Sequence, residues 1–545
     1  MKENALVENC TNNIAISIQN AGLGGVAGES NGTIRGCRNL KPVTGTSSVG
    51  GIVGNLLQYA QEVSDCHNEA DITVFNIFNG GTVGGIAART YVQGNNGGGV
   101  TISGCTNSGN ITARGTVGGI TGDASYGSTV IDCVNTGTIS NVSAEAVGGI
   151  AGKISGTTAY PTRMERCANH GEIKAHWKYA GGVTGNTFGT ETEALTIADC
   201  YNDAPVSMTE YQSGMVTQFS DALALGGFSG SIHATVIRCH NAGNVYTDFS
   251  GAGGFAGILS QSKIEQCFNT GDVEAKGRFG GSNGRAGGLC GYNISGPVIN
   301  SFYNTGDIKA DTRVGGIDGQ VHGEMELNNV YNAGKVTATA SGALVSNIAS
   351  IAGNGTLTVS NSYYSSEGAA EPTPGDRMAT PLTLRQLTKA DLGDGFVYVN
   401  GALPQIQLSE TSLHQAYATA LAIPTDDDAD PASLTSAVWL GNANDVDWTG
   451  SDHFVIIRNY ACSEKLGEAS LTATSRSDSS KSKTFTFNIA KLSGIDGISA
   501  DKEIATETFY DLEGRIITAP QSGRIYIVRI GYTDGTTSTL KVLVP

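Results

Sequence analysis

Over about residues 5–365 the apolar positions show no helical period. They return as single columns inside short segments bounded by glycine. One segment reads apolar-x-x-Cys-x-Asn-x-Gly-x-(Ile/Val), as in Ile264 to Val273, and its cysteine recurs at intervals of 27 to 39 residues. Two further copies place Phe302 and Val330 in the cysteine column. The position two residues after it is Asn in all eleven copies: Asn12, Asn39, Asn68, Asn107, Asn135, Asn169, Asn202, Asn241, Asn269, Asn304 and Asn332. The position six residues after it is always Ile or Val, the β-branched choice for an inward site on a pleated strand. Seven copies carry Gly at Cys+4, where a sharp bend would require it. Between these segments lies a Gly-Gly-apolar-x-Gly box, for example at Gly50, Gly118 and Gly253, which predicts a corner and another short strand.

A period near 30 with several short strands per unit predicts a parallel β-solenoid. No single coil can bury its own columns, so stability must come from stacking. Eleven coils at ~4.8 Å spacing give a rod of roughly 50 Å. An identical Asn in each coil can donate to the next amide and accept from the one before, closing its hydrogen bonds along a ladder. The loops lengthen at 89–101, 186–196 and 207–224, and such insertions must project from the rod.

Composition narrows the chemistry. The 76 Gly among 545 residues fit turns at short intervals, while the 12 Pro and lack of a Gly-X-Y period exclude collagen. A net charge of −17, from 50 acidic against 33 basic side chains, argues against a nucleic-acid partner, which would need a clustered basic footprint. No apolar run reaches membrane-spanning length, so no transmembrane segment is expected. Met1 leads straight into the middle of a repeat, which suggests a trimmed N-terminus. Ten of the eleven cysteines lie in the first 290 residues, nine of them in the repeat column. Because Phe302 and Val330 fill that column in other copies, it reads as core and not as a set of disulfides or metal ligands.

The box at Gly148 to Gly152, followed by Cys-x-Asn-x-Gly-x-Ile, resembles the GLUG repeat of large bacterial surface proteins, adhesins among them. The resemblance implies a surface scaffold and no particular chemistry. The stretch from Leu382 to Gln405 resembles the segment that follows a last GLUG repeat and is expected to cap the open sheet edge. Further on, Val446-Asp447-Trp448 and Phe485 to Ile489 are similar to an atypical bacterial immunoglobulin-like domain. Phe509 to Arg515, Gly523 to Val528 and Lys541 to Val544 resemble the C-terminal sorting domain of type IX secretion. The expected layout is therefore a solenoid over 1–368, a cap or linker over 369–409, a β-sandwich over 410–492 and a sorting-type β-domain over 493–545, all of it β. The sorting resemblance implies passage through outer-membrane secretion machinery to the cell surface or the medium.

The search for catalytic residues is mostly empty. There is no His-Glu-x-x-His, no nucleophile elbow outside a structural box and no P-loop lysine, so neither catalytic residues nor cofactor nor metal are expected. The eight histidines, no two at i,i+4 spacing, read as exposed turn residues. Asp132, Glu265, Asp272 and Asp307 lie near the cysteine column, but they are scattered over copies and do not form one pair. A stripe is more suggestive. At Cys+1 the last five copies read Tyr201, His240, Phe268, Tyr303 and Tyr331, and strand alternation turns them away from the cysteine face. They are the tentative ligand-binding residues, with Trp177 in a variable loop as a further candidate. The expectation is a non-enzymatic surface protein that binds a protein or glycan of a host or neighbouring cell. The alternatives are a polysaccharide-active enzyme on a β-helix and a stalk for a catalytic region beyond the N-terminus.

Overall fold

The computed structural model describes residues 3–406 apart from 20–21, 58, 76–80, 91–98, 126, 177, 210–222, 250, 278–283, 352–354, 368, 370, 372 and 398–402, and beyond them the strands named below. The chain forms two compact units, Met1–Pro381 and Leu382–Pro545.

The first unit is the predicted parallel β-solenoid. One coil shows how the repeat builds it. Thr235–Ile237 leads through Cys239 to His240–Asn241; Val245–Thr247 and Gly251–Gly253 follow; the glycine box turns the chain into Ala256–Ser260; Lys263–Asn269 then lies on the starting strand. Corresponding strands of successive coils make three parallel sheets, which among the described residues are a Cys sheet of 22 strands, an Ile/Val sheet of 20 and a box sheet of 11 with one strand per coil. Register is repeat on repeat, with Asn202 beside Asn241, Val206 beside Val245 and Gly226 beside Gly253. Any slip by one residue would turn every column to the wrong face.

Two apolar clusters run through the coils. The first joins the cysteine column to the apolar residue of each box, for example Cys239 with Phe228 and Phe255. The second joins the Cys+6 column to the residue before each box, for example Val206 with Leu225. The asparagines lie between the two clusters along one strand, and the paired glycines lie between them along the other. They meet. A Cβ on Gly227 would stand 2.1 Å from Asn241 Nδ2, and one on Gly119 would stand 2.4 Å from Asn135 Cγ. The second glycine of the box is thus the space through which the ladder runs. Within it each Asn Nδ2 donates to the next Asn Oδ1 at 2.7 to 2.8 Å, without a break from Asn12 to Asn332. Most also donate to the carbonyl two residues on, as Asn241 does to Gly243 at 2.7 Å.

The bend lies elsewhere than expected. The glycines at Cys+4 have no left-handed backbone; a Cβ on Gly109 would instead strike Ala70 O of the coil before at 2.0 Å. The left-handed residue is the one before the cysteine column. It is Asp65, Asp132, Arg166, Asp199, Arg238, Gln266, Ser301 and Asn329 in successive copies, interrupted by Gly36 and Gly104. One such residue kinks the strand pair without ending the sheet.

The solenoid unit continues past the expected end at 368. Tyr363 pairs with Tyr331, and Thr380 N–H donates to Ser362 O at 3.0 Å. Asp376, fully buried, accepts from Ile348 N–H at 2.9 Å, Ser346 Oγ at 2.7 Å and Thr373 N–H at 2.9 Å, satisfying donors that a further coil would otherwise meet.

In the second unit, Thr383 caps a short helix, Leu384–Leu387, by a reciprocal bond with Gln386. A seven-stranded mixed sheet contains Phe454–Ile457, Tyr460–Ser463, Ala437–Trp439, Thr537–Val544, Arg524–Tyr532, Ile504–Tyr510 and Ile516–Ile517 in spatial order. A three-stranded antiparallel sheet holds Val446–Gly450, Gly467–Ser475 and Ser482–Ile489. Val438 pairs with Leu543, so strand pairing crosses the expected boundary at 492.

Candidate functional site

The Cys+1 rings do stack. Tyr201, His240, Phe268, Tyr303 and Tyr331 hold matching positions on successive coils, with centroids 5.1, 4.5, 4.7 and 5.1 Å apart and planes within 9°. They do not form an exposed stripe. His240, Phe268, Tyr303 and Tyr331 are at most 1% exposed, and only Tyr201 is half-buried. Alternation fixes the side of the strand a residue takes, not whether that side meets water. Burial also pushes the Tyr303 and Tyr331 phenols well above their usual range. These four rings are therefore packing elements. Trp177 lies outside the described residues.

At the open end of the column stands a polar cluster. His170 Nδ1 lies 2.9 Å from both oxygens of Asp203, whose side chain is 1% exposed, and His170 Nε2 lies 3.3 Å from the Tyr201 hydroxyl. A carboxylate can only accept, so Nδ1 carries the proton, and in the neutral ring Nε2 accepts from the phenol. Tyr201 meets His170 edge-on at 5.5 Å and His240 face-on. The histidines are consequently not a class of exposed turn residues, since His240 lies within the ring stack and His170 is held by a buried acid.

The inserted loop 186–196 builds the other feature. Thr184–Gly189 continues into a single 3-10 turn, Thr192–Ala194, and Thr192 Oγ1 donates to Gln261 O at 3.0 Å. This leaves an open groove of about 660 Å³ lined by Glu191, Glu193, His233, Gln261, Lys263 and Val298 among others. Phe188, 52% exposed, meets His233 edge-on at 5.5 Å. Partial burial lowers the His233 pKa, so at neutral pH its ring offers one donor and one acceptor. The groove thus joins an imidazole, two carboxylates, an amide and an ammonium, and the exposed Phe188 ring stands against its His233. Loop length was the only sign of it in the sequence, because its residues come from four different coils.

The carboxylates singled out earlier serve the scaffold. Asp132 holds Arg166 through two bonds of 2.7 and 3.1 Å, and Glu265 pairs with Lys263 at 2.9 Å. Asp272 and Asp307 each accept a backbone N–H from the following coil, at 2.8 and 2.9 Å. The cysteine column is a line of free thiols, buried from Cys37 onward, with Phe302 and Val330 equally buried in it. Burial pushes the Cys200 and Cys239 thiols well above their usual range, which disfavours the reactive thiolate. Asp318 stands in a core column between Cys290 and Ala349, fully buried, and its carboxyl is pushed up to about 7 by that burial. Among the described residues no group of three or more His, Cys, Asp or Glu could hold a metal ion, and no helix is long and apolar enough to cross a membrane.

In comparisons with protein-family models, curated proteins and solved structures, nothing matches this chain.

Proposed function

We propose that this chain is an exported bacterial surface protein whose solenoid displays a binding site for a glycan of a host or neighbouring cell. The observation that carries the reading is the groove opened by loop 186–196, where exposed Phe188 stands beside His233 and polar groups of three coils converge. An apolar ring face suits the C–H face of a sugar, and carboxylate and amide groups suit its hydroxyls. The GLUG-like repeat and the sorting-like C-terminal motifs support surface display and export. The ring stack carries none of the binding in this reading.

A glycan array probed with the full chain tests it. Binding is expected to fall at least tenfold in Phe188→Ala and in Glu191→Gln/Glu193→Gln, with the melting profile unchanged. Absence of binding, or binding indifferent to both variants, overturns the reading. A second reading rests on the same two carboxylates, since a paired acid in a groove is also what a polysaccharide-cleaving enzyme requires. Release of new chain ends from a bound glycan, lost in Glu191→Gln/Glu193→Gln, would establish that reading in place of simple binding.

A further inference from the structure

The groove at loop 186–196 has a sign of charge. Its acids, Glu191 and Glu193, are exposed and make no ion pair and no side-chain hydrogen bond among the described residues. Elsewhere on the solenoid acids take a basic neighbour, as Glu8 takes Arg35, Glu69 takes Arg38, Asp132 takes Arg166 and Asp199 takes Arg238. The ammonium in the groove, on Lys263, is held by Glu265 at 2.9 Å, so those two charges cancel. His233, with its lowered pKa, is neutral at neutral pH. Two carboxylate charges are left uncompensated, in a chain whose net charge of −17 already draws cations and repels anions.

The backbone that carries these acids is tied down. Glu191 precedes the 3-10 turn Thr192–Ala194 and Glu193 lies within it. Thr190 N–H donates to Gly156 O at 3.1 Å, Thr192 Oγ1 to Gln261 O at 3.0 Å and Thr235 Oγ1 to Thr192 O at 3.2 Å, so the turn is bonded to three other coils. Little ordering of the turn is then needed when a ligand arrives. The lining spans four coils, or ~14 Å at the ~4.8 Å strand spacing, which seats a short chain of sugars. We infer that the groove selects a glycan bearing free primary amines, a run of de-N-acetylated hexosamines, with Glu191 and Glu193 receiving its ammonium groups and Phe188, beside His233, packing against the sugar. The inference rests on the glycan-binding reading of the same groove and names the class of sugar. An ammonium donates charge-assisted hydrogen bonds to a carboxylate, and an aromatic face attracts both it and sugar C–H groups. N-acetylation removes the charge and leaves a single N–H donor. Uronates and sulfated sugars would bring a negative charge against the two acids.

Fluorescence anisotropy of the full chain tests the inference with four labelled probes: a glucosamine oligomer, its N-acetylated counterpart of equal length, a uronate oligomer and an oligolysine of equal charge. The glucosamine oligomer should bind at least about tenfold more tightly than the N-acetylated one and lose that advantage as salt rises, while the uronate should not bind. Glu191→Gln/Glu193→Gln should remove the advantage with the melting profile unchanged. Equal binding of the two hexosamine oligomers, tighter binding of the uronate, or an advantage that survives the double variant overturns the amine selectivity and leaves the glycan reading standing. Binding of no sugar, here or on the glycan array, overturns both. Oligolysine bound as tightly as the glucosamine oligomer overturns the assignment to a sugar and makes the groove a site for basic peptides.

Discussion

The early and late coils of the solenoid share one backbone and differ at one outward position. At Cys+1 the early coils carry Thr11 and Arg38, both exposed, then His67, Thr106 and Val134, all half-buried. The late coils carry His240, Phe268, Tyr303 and Tyr331, all buried and stacked. The inward columns scarcely change, since asparagine, glycine and Ile/Val recur through both halves. Inward positions are fixed by contact with their own copies above and below, and outward positions by whatever lies over the sheet. A repeat therefore preserves its interior and varies its outer face. Packing, polar clusters and binding sites can then be distributed along one rod.

The largest effect should come from striking what the two halves share. Gly227→Ala places a Cβ 2.1 Å from both Asn241 Nδ2 and Gly254 O, an approach no rotamer change relieves. The variant should fail to give a cooperative urea transition, whereas Gly342→Ala, at a position with nothing within 4 Å, should fold at a modest cost from its left-handed backbone. A native-like transition in Gly227→Ala would mean that ladder and glycine column do not interlock.

Next comes the position at which the halves differ. Phe268→Ala should cost about 3–5 kcal/mol by leaving a cavity between His240 and Tyr303, and Thr106→Ala about 1 kcal/mol or less. Paired urea midpoints measure the contrast. Similar losses at the two sites would show that the late column is no better packed than the early one.

A pH series sharpens the inner face. Burial raises the Asp318 carboxyl to about 7, above its ordinary value of 3.8, so the folded state holds this proton more tightly than the unfolded chain. The stability associated with it is full below pH ~4 and is lost as pH rises toward 7, on the order of a few kcal/mol. Asp318→Asn should abolish that fall, most visibly as a higher urea midpoint than the parent at pH 8. Parallel pH profiles for parent and variant would place the proton elsewhere.

Much of this was legible in the residues. Invariant Asn12 to Asn332 announced a hydrogen-bonded ladder, and the replacement of cysteine by Phe302 and Val330 announced a core column, because stacked identical positions must satisfy the same contact in every coil. The left-handed residue before each cysteine was also visible as an excess of Asp, Asn and Gly, although Arg166 and Arg238 disguised it. Pairs such as His170 with Asp203, or Thr192 with Gln261, stand 33 and 69 residues apart and meet only when the coils register.

The sequence by itself determined the coil, its inward columns and its direction of stacking, since these follow from local period and from copies meeting copies. Tertiary structure alone decided that a ring stack turned outward is nonetheless buried and that a loop insertion opens a groove across four coils. Those outcomes depend on what lies across a face or a coil away, and local pattern carries no record of such distances.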